Sequence, residues 1–155
     1  MSEFSKRYRE KLLPGQQHAF AGTDPEFIQI FESFAFDEVI HQGNLDDRTR
    51  FMAILAALLG CQGLEEFKMM LPAALNMGVT PVEVKEIVYQ SAAYLGIGRV
   101  FPFLKAVNEE LTSRGISLPL EGQSTTTPET RLTAGNQVQV DIFGEGMRDF
   151  QNRSP

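Results

Sequence analysis

Apolar residues recur at three- and four-residue steps through most of this chain, with polar breaks between the repeats. The clearest stretch is Leu45 to Leu95. It reads LDDRTRFMAILAALLG, a short CQG link, LEEFKMMLPAALNMG and VTPVEVKEIVYQSAAYL. In the first segment Phe51, Met52, Leu55, Leu58 and Leu59 make one broad face, while Ala53, Ala56 and Ala57 let a neighbouring helix come close. A helix apolar over most of its circumference is buried, here by more than one partner. Asp46 and Asp47 stand at its start, where the helix dipole favours negative charge. Gly60 and Gly63 flank Cys61-Gln62 and predict a tight connection. The second segment runs from Leu64 to Met77, with Gly78 as a left-handed C-cap. Pro72 lies inside it. An interior proline removes a backbone hydrogen bond and costs about 3 kcal/mol, which predicts a kink near Met69 or two short helices. Thr80-Pro81-Val82-Glu83 then joins an N-cap, a proline at the first helical position and a capping-box glutamate. Val84, Ile87, Val88, Ser91 and Leu95 share one face of the helix that follows. Glu83, Glu86, Gln90 and Tyr94 line another, and Gly96 and Gly98 end it.

The flanks continue the pattern. Ser2 to Leu13 predicts a short surface helix stopped by Pro14-Gly15, and His18 and Phe20 fall in a loop. Asp24 is a good N-cap, Pro25 suits the first helical position, and the Phe27 to Ile40 repeat predicts one helix to His41. Beyond the central unit a helix is predicted from Arg99 to Arg114, with Pro102 in its first turn and Gly115 as cap. Ser117 to Thr127 is rich in Pro, Gly, Ser and Thr and predicts an extended linker. Thr127-Pro128-Glu129 opens a last helix. Strand-like alternation of any length is missing from the sequence, so the predicted class is all-α.

Composition narrows the function classes. A chain of 155 residues suits one domain or one and a half small ones, and 43% hydrophobic with 22% charged residues is ordinary for a soluble globular protein. The net charge of -6 and a pI of about 4.9, without a basic cluster, argue against nucleic acid and anionic membrane surfaces as partners. The single cysteine, Cys61, excludes an internal disulfide framework and fits a reducing compartment. The start, MSEFSKRYREKLL, lacks the apolar run of a signal peptide, and the longest mostly apolar run, Phe51 to Cys61, is too short to span a bilayer. The expected location is the cytoplasm. There is no glycine-rich phosphate loop and no zinc-ligand spacing, so neither a cofactor nor a metal is expected.

Several runs resemble the carboxymuconolactone decarboxylase family, which includes the alkylhydroperoxidase-D-like proteins. They are L-D-D-R-T-R at 45–50, A-L-L-G at 57–60, E-E-F-K at 65–68, A-A-L-N-M-G-V-T-P-V-E-V-K-E-I at 73–87 and A-Y-L-G at 93–96. The resemblance covers roughly Asp24 to Leu111. It implies an all-helical fold with a central antiparallel helix pair. It also implies homo-oligomers with sites near subunit interfaces, and a small-molecule substrate. The domain reading that follows is an N-terminal extension at 1–23, a family domain at 24–115, a linker at 116–127 and a helical tail at 128–155. The tail, RLTAGNQVQVDIFGEGMRDF at Arg131 to Phe150, resembles the opening helix of a second family domain. The family includes tandem two-domain chains, so a truncated, split or proteolysed two-domain protein is expected. The alternative is a tail that packs on a neighbouring subunit.

The departures from the family pattern concern chemistry. The peroxidase branch resembles E-L-x-x-L followed by C-x-x-C and a histidine. Here Phe51 holds the place of that glutamate and Cys61 is alone, so a dithiol cycle lacks its resolving partner. The decarboxylase branch resembles E-L-x-x-H in the second segment, with a histidine in the next helix. Met70 and Gln90 hold those places, and neither serves as a general acid or base near neutral pH.

The candidate site residues are therefore few. Glu66 matches the family's E-E-L glutamate and is a catalytic candidate, against a solvated first-turn reading that suits Glu65 better. Cys61 is either a reactive thiol or a small buried hydrophobe. Met70, Gln90 and Tyr94 are substrate-binding candidates: Met70 as pocket wall or core filler, Gln90 and Tyr94 as hydrogen-bonding groups one turn apart or as helix packing. His18 and His41 are expected in surface or capping roles. Arg48 and Arg50 suit an anionic substrate, or neutralisation by Asp46 and Asp47. Three functions stay open. The first is a carboxymuconolactone-decarboxylase-like enzyme, a carboxy-lyase acting on a small carboxylated or lactone metabolite. The second is an alkylhydroperoxidase-like antioxidant protein with peroxiredoxin activity. The third is a non-catalytic scaffold and oligomerisation half.

Overall fold

The structure, a computed structural model, describes residues 2–149; Phe150, the last residue of the tail motif, lies outside them. Its described residues divide into two units, Met1–Leu118 and Pro119–Pro155.

In the first unit four helices make the core: α4 (Asp47–Gly60), α5 (Leu64–Asn76), α6 (Pro81–Leu95) and α7 (Ile97–Ser113). Before them come α1 (Glu3–Leu12), α2 (Pro25–Ser33), a π-helical turn (Phe34–Glu38) and a short α3 (Val39–His41). Within the core α4 packs on α5 and α6, and α7 packs on α5 and α6. The buried residues recur at four-residue steps: Phe51, Leu55 and Leu59 on α4, Phe67 and Leu71 on α5, Val84 and Val88 on α6, Phe103, Val107 and Leu111 on α7. Each series is one helix stripe turned inward. Phe67 and Phe103 meet edge to face at 5.1 Å, the arrangement that ring quadrupoles favour. No strand occurs among the described residues, so the all-α expectation holds.

The link between α4 and α5 is so short that the two helices must run antiparallel. Its left-handed residue is Gln62 (φ 63°), whereas the sequence pointed to the flanking glycines. Gly60 ends α4, and a Cβ on Gly63 would come within 3.3 Å of Leu58 Cδ2. Gly78 takes the expected left-handed C-cap of α5 (φ 91°). Thr80 and Glu83 form the expected reciprocal capping box of α6.

Three boundaries differ from the sequence reading. The helix expected from Pro25 to His41 is interrupted by the π turn, which carries Phe36 into the interior. Pro72 lies within α5 without splitting it into two helices; the Arg114 guanidinium donates to the Pro72 carbonyl at 3.2 Å. Gly96 (φ 82°) alone separates α6 from α7, so Gly98 is helical and Pro102 falls past the first turn.

The N-terminal helix is tied down by polar contacts. Arg9 Nε donates to Glu32 at 2.6 Å, with both side chains largely buried, and Asn76 Nδ2 donates to the Leu12 carbonyl at 2.9 Å. The second unit holds α8 (Arg131–Phe143) and a 3-10 turn at Glu145–Met147 that packs on it. Residues 121–127 have no regular structure. Among the described residues no helix is long and apolar enough to cross a membrane.

Candidate active site

Inside the first unit a cavity of about 710 Å³ lies among α1, the 13–24 loop, α2, the π turn, α4 and α5. Small-molecule sites span roughly 300–1,000 Å³. The elements present mostly carbon to it. Phe31 comes from α2, Phe36 from the π turn, Phe51 and Ile54 from α4, and Met70 from α5. The π turn matters here, because its wider winding brings Phe34, Ala35 and Phe36 in succession to the cavity wall. Only four lining residues are polar: Tyr8, His18, Arg50 and Glu66.

Glu66 sits in the first turn of α5, where the free N–H groups and the helix dipole favour an acidic residue. It is half-buried. Burial raises its pKa above the ordinary carboxylate value of 4.5, and the charge of His18 partly opposes that shift. Glu65, its neighbour, is a surface residue that accepts from Lys68 at 2.7 Å. The solvated first-turn reading thus applies to Glu65 and not to Glu66.

His18 was expected at the surface or in a cap. It does hold a local turn, since its Nδ1 accepts the Phe20 N–H at 3.2 Å. That bond directs the other ring nitrogen, Nε2, to carry the proton of the neutral ring. The ring is half-buried, packs edge-on to Phe31 at 6.3 Å and lines the cavity. A narrow cleft adjoining the cavity is lined by His18 and Met70 as well. Met70 holds the place of the family's histidine, and His18, from the loop before α2, lines the same cavity and cleft. Nothing in the sequence signals this, because His18 belongs to no periodic segment and no motif.

Arg50 projects from α4. Its Nη2 donates to the Leu45 carbonyl at 2.9 Å, while its Nε is buried and has no hydrogen-bond partner among the described residues. The carboxylates expected to neutralise it are engaged elsewhere. Asp46 accepts the Thr49 N–H at 2.9 Å as the N-cap of α4. Asp47 accepts from the Tyr8 phenol at 2.5 Å and from Lys11 at 3.3 Å. Burial and the bond to Asp47 push the Tyr8 pKa up, so Tyr8 stays a protonated donor. Arg48 pairs with Glu83 of the capping box.

The remaining candidates are not gathered here. Cys61 is exposed rather than buried, because the tight link turns it outward, and its thiol donates to the Leu58 carbonyl at 3.4 Å. Gln90 and Tyr94 are exposed on α6, well round the helix from the Val84 and Val88 stripe, and do not line the cavity. Tyr94 is 86% exposed, so within one chain it packs against little. His41 is a surface residue bonded to Asp37 through Nδ1. Among the described residues no three His, Cys, Asp or Glu side chains cluster as metal ligands.

Comparison with known proteins places this geometry in a family. The profile of the Carboxymuconolactone decarboxylase family matches residues 25–109. A 4-carboxymuconolactone decarboxylase of Acinetobacter baylyi (strain ATCC 33305 / BD413 / ADP1) is 33% identical over 72 residues, which make up 46% of this chain and 54% of that protein. The chain thus spans about half the length of the curated relative it matches. No solved structure matches it. The matched span contains α2 through most of α7, and with them Arg50, Glu66 and most of the cavity wall. On the strength of that span, the chain belongs to the carboxymuconolactone decarboxylase family.

Proposed function

We propose that this chain is an acid–base enzyme of the decarboxylase kind, acting on a small carboxylated or lactone metabolite in the cavity. The observation that carries the reading is Glu66, half-buried with a raised pKa and close enough to His18 to feel its charge, at the wall of a largely apolar cavity. Perturbed acids in clefts of this kind are general acid–base candidates.

The chemistry follows from the groups present. Arg50, which lines the cavity, offers its guanidinium to a substrate oxygen that carries negative charge. Loss of carbon dioxide breaks a carbon–carbon bond and leaves its electron pair on the product, which must take up a proton. Glu66, whose burial favours the protonated form, delivers that proton. The Glu66 carboxylate then regains its proton from solvent, while His18 at the same wall offers its Nε2–H as a hydrogen-bond donor. Glu66 thus does the proton transfer for which Met70 and Gln90 are unsuited.

The antioxidant reading draws no comparable support, because Cys61 has no second thiol in the chain. A scaffold role as one half of a tandem protein is supported by the resemblance of residues 128–155 to an opening helix. A cytoplasmic setting is supported by the single cysteine and acidic charge. Self-association is supported by exposed apolar residues on α6 and α7, among them Tyr94, Ile97 and Phe101.

A decarboxylation assay on the purified chain with a carboxylated muconolactone tests the central claim. Glu66→Gln, His18→Gln and Met70→His variants run beside it. The expected result is turnover by the natural sequence and a loss of about 10²- to 10⁴-fold in Glu66→Gln, the usual contribution of a positioned acid. Absence of turnover by the natural sequence, with this lactone and with less polar cyclic acids alike, would reject the enzyme reading in favour of the scaffold one.

A further inference from the structure

We infer that the ligand of this cavity is an amphipathic acid: a ring-sized, largely apolar body carrying one anionic oxygen group, which docks on Arg50. The inference rests on the reading of this cavity as the site and names its substrate class. A polyanionic lactone would have to bring several charged groups into contact with aromatic carbon, and burying unpaired charge is strongly unfavourable. The wall instead offers carbon. Phe31, Phe36, Phe51, Ile54 and Met70 form it, and Phe20, Phe27 and Phe34 make a rim that is 58%, 67% and 56% exposed.

The polar side of the argument is Arg50. Of the four polar lining residues it is the one with permanent positive charge, and among the described residues its guanidinium has one hydrogen-bond acceptor, the Leu45 carbonyl on Nη2. A guanidinium carries several N–H donors, so Arg50 keeps donors for an anionic oxygen at the cavity it lines. The carboxylates nearest in sequence cannot fill the role, since Asp46 caps α4 and Asp47 is held by Tyr8 and Lys11. Burial raises the pKa of Glu66 at the same cavity above the ordinary carboxylate value, so its negative charge is less favoured there than in water. One cation and a carbon wall match one anionic group and an apolar body.

Titration calorimetry of the full chain with 2-naphthoate tests this, with 2-naphthalenemethanol and a carboxylated muconolactone as comparison probes. The expected result is saturable binding of one 2-naphthoate per chain, tighter than either comparison probe. Arg50→Gln should weaken it by about 10- to 100-fold, the worth of a charge-assisted hydrogen bond. Because Arg50 also holds the Leu45 carbonyl, a second variant guards against a folding defect. Ala57→Phe fills the cavity from an exposed position on α4 and should weaken 2-naphthoate binding while leaving the melting temperature unchanged. Equal affinity for the alcohol, tighter binding of the lactone, or indifference to both substitutions would overturn the inference. The two proposals separate cleanly. Binding of 2-naphthoate without decarboxylation of any acid sinks the catalytic reading alone. Turnover of the polar lactone without 2-naphthoate binding sinks this one alone.

Discussion

Glu66 carries the sharpest expectations at the scale of single residues. Its folded pKa is raised by burial, so the folded chain holds its proton more tightly than the unfolded chain does. The stabilisation linked to that proton is present below the unfolded pKa and is lost as pH rises through the folded value. Glu66→Gln removes the cost of ionising a half-buried group. That variant should therefore be more stable than the natural sequence at neutral pH, and denaturant titrations in acid should show the gap closing. Its activity should move the opposite way. In the natural sequence turnover should decline as pH rises past the Glu66 pKa, and a pH–rate profile of kcat checks this. His18→Gln should lower kcat without displacing the binding of an amphipathic acid, which single-turnover and titration measurements separate. Glu66 was legible in the sequence because it lies in a family run. His18 was not, because its role depends on the fold bringing a loop against α5.

Local signals at the scale of elements were strong where they satisfied a backbone group directly. The Thr80 and Glu83 capping box satisfies N–H groups that no helix can pair internally, and it formed as read. Thr80→Ala should cost about 1 kcal/mol of unfolding free energy, measured by urea titration. Breaks were harder to read. Pro72 was expected to kink a helix or divide it in two; α5 continues past it as one helix, flanked by the buried Leu71, Ala73 and Ala74, which excludes the division. The π turn at Phe34–Glu38 has no turn residue to announce it, since FAFDE reads as ordinary amphipathic helix. The tie between α1 and α2 also escaped the sequence. Arg9 and Glu32 form a nearly buried pair, and removing one partner leaves the other charge without compensation. Arg9→Ala should destabilise the chain by about 3–5 kcal/mol in thermal or urea unfolding.

The core and the open apolar surfaces belong to the scale of the whole molecule. All the largest fully buried side chains lie between Leu12 and Leu111, inside the first unit. A chain ending at Leu118 should therefore still unfold in one cooperative transition, which calorimetry checks. The same unit leaves Tyr94, Ile97 and Phe101 exposed on α6 and α7. Apolar residues clustered in this way favour association. Sedimentation should find a mass above that of a single chain, and Tyr94→Asp with Phe101→Asp should lower it.

The sequence by itself determined the helical class, the order of the core helices, the left-handed Gly78 after α5, the capping box of α6 and the family. These depend on periodicity and on backbone groups satisfied within a few residues, and both are written along the chain. Only the tertiary structure decided the composition of the site. It set Cys61, Gln90 and Tyr94 apart from the cavity, and brought His18, Arg50, Glu66 and Met70 to its wall. Those relations join residues from separate helices and a loop. They arise from packing one helix stripe against another, and local pattern says nothing of which distant side chains such packing brings together.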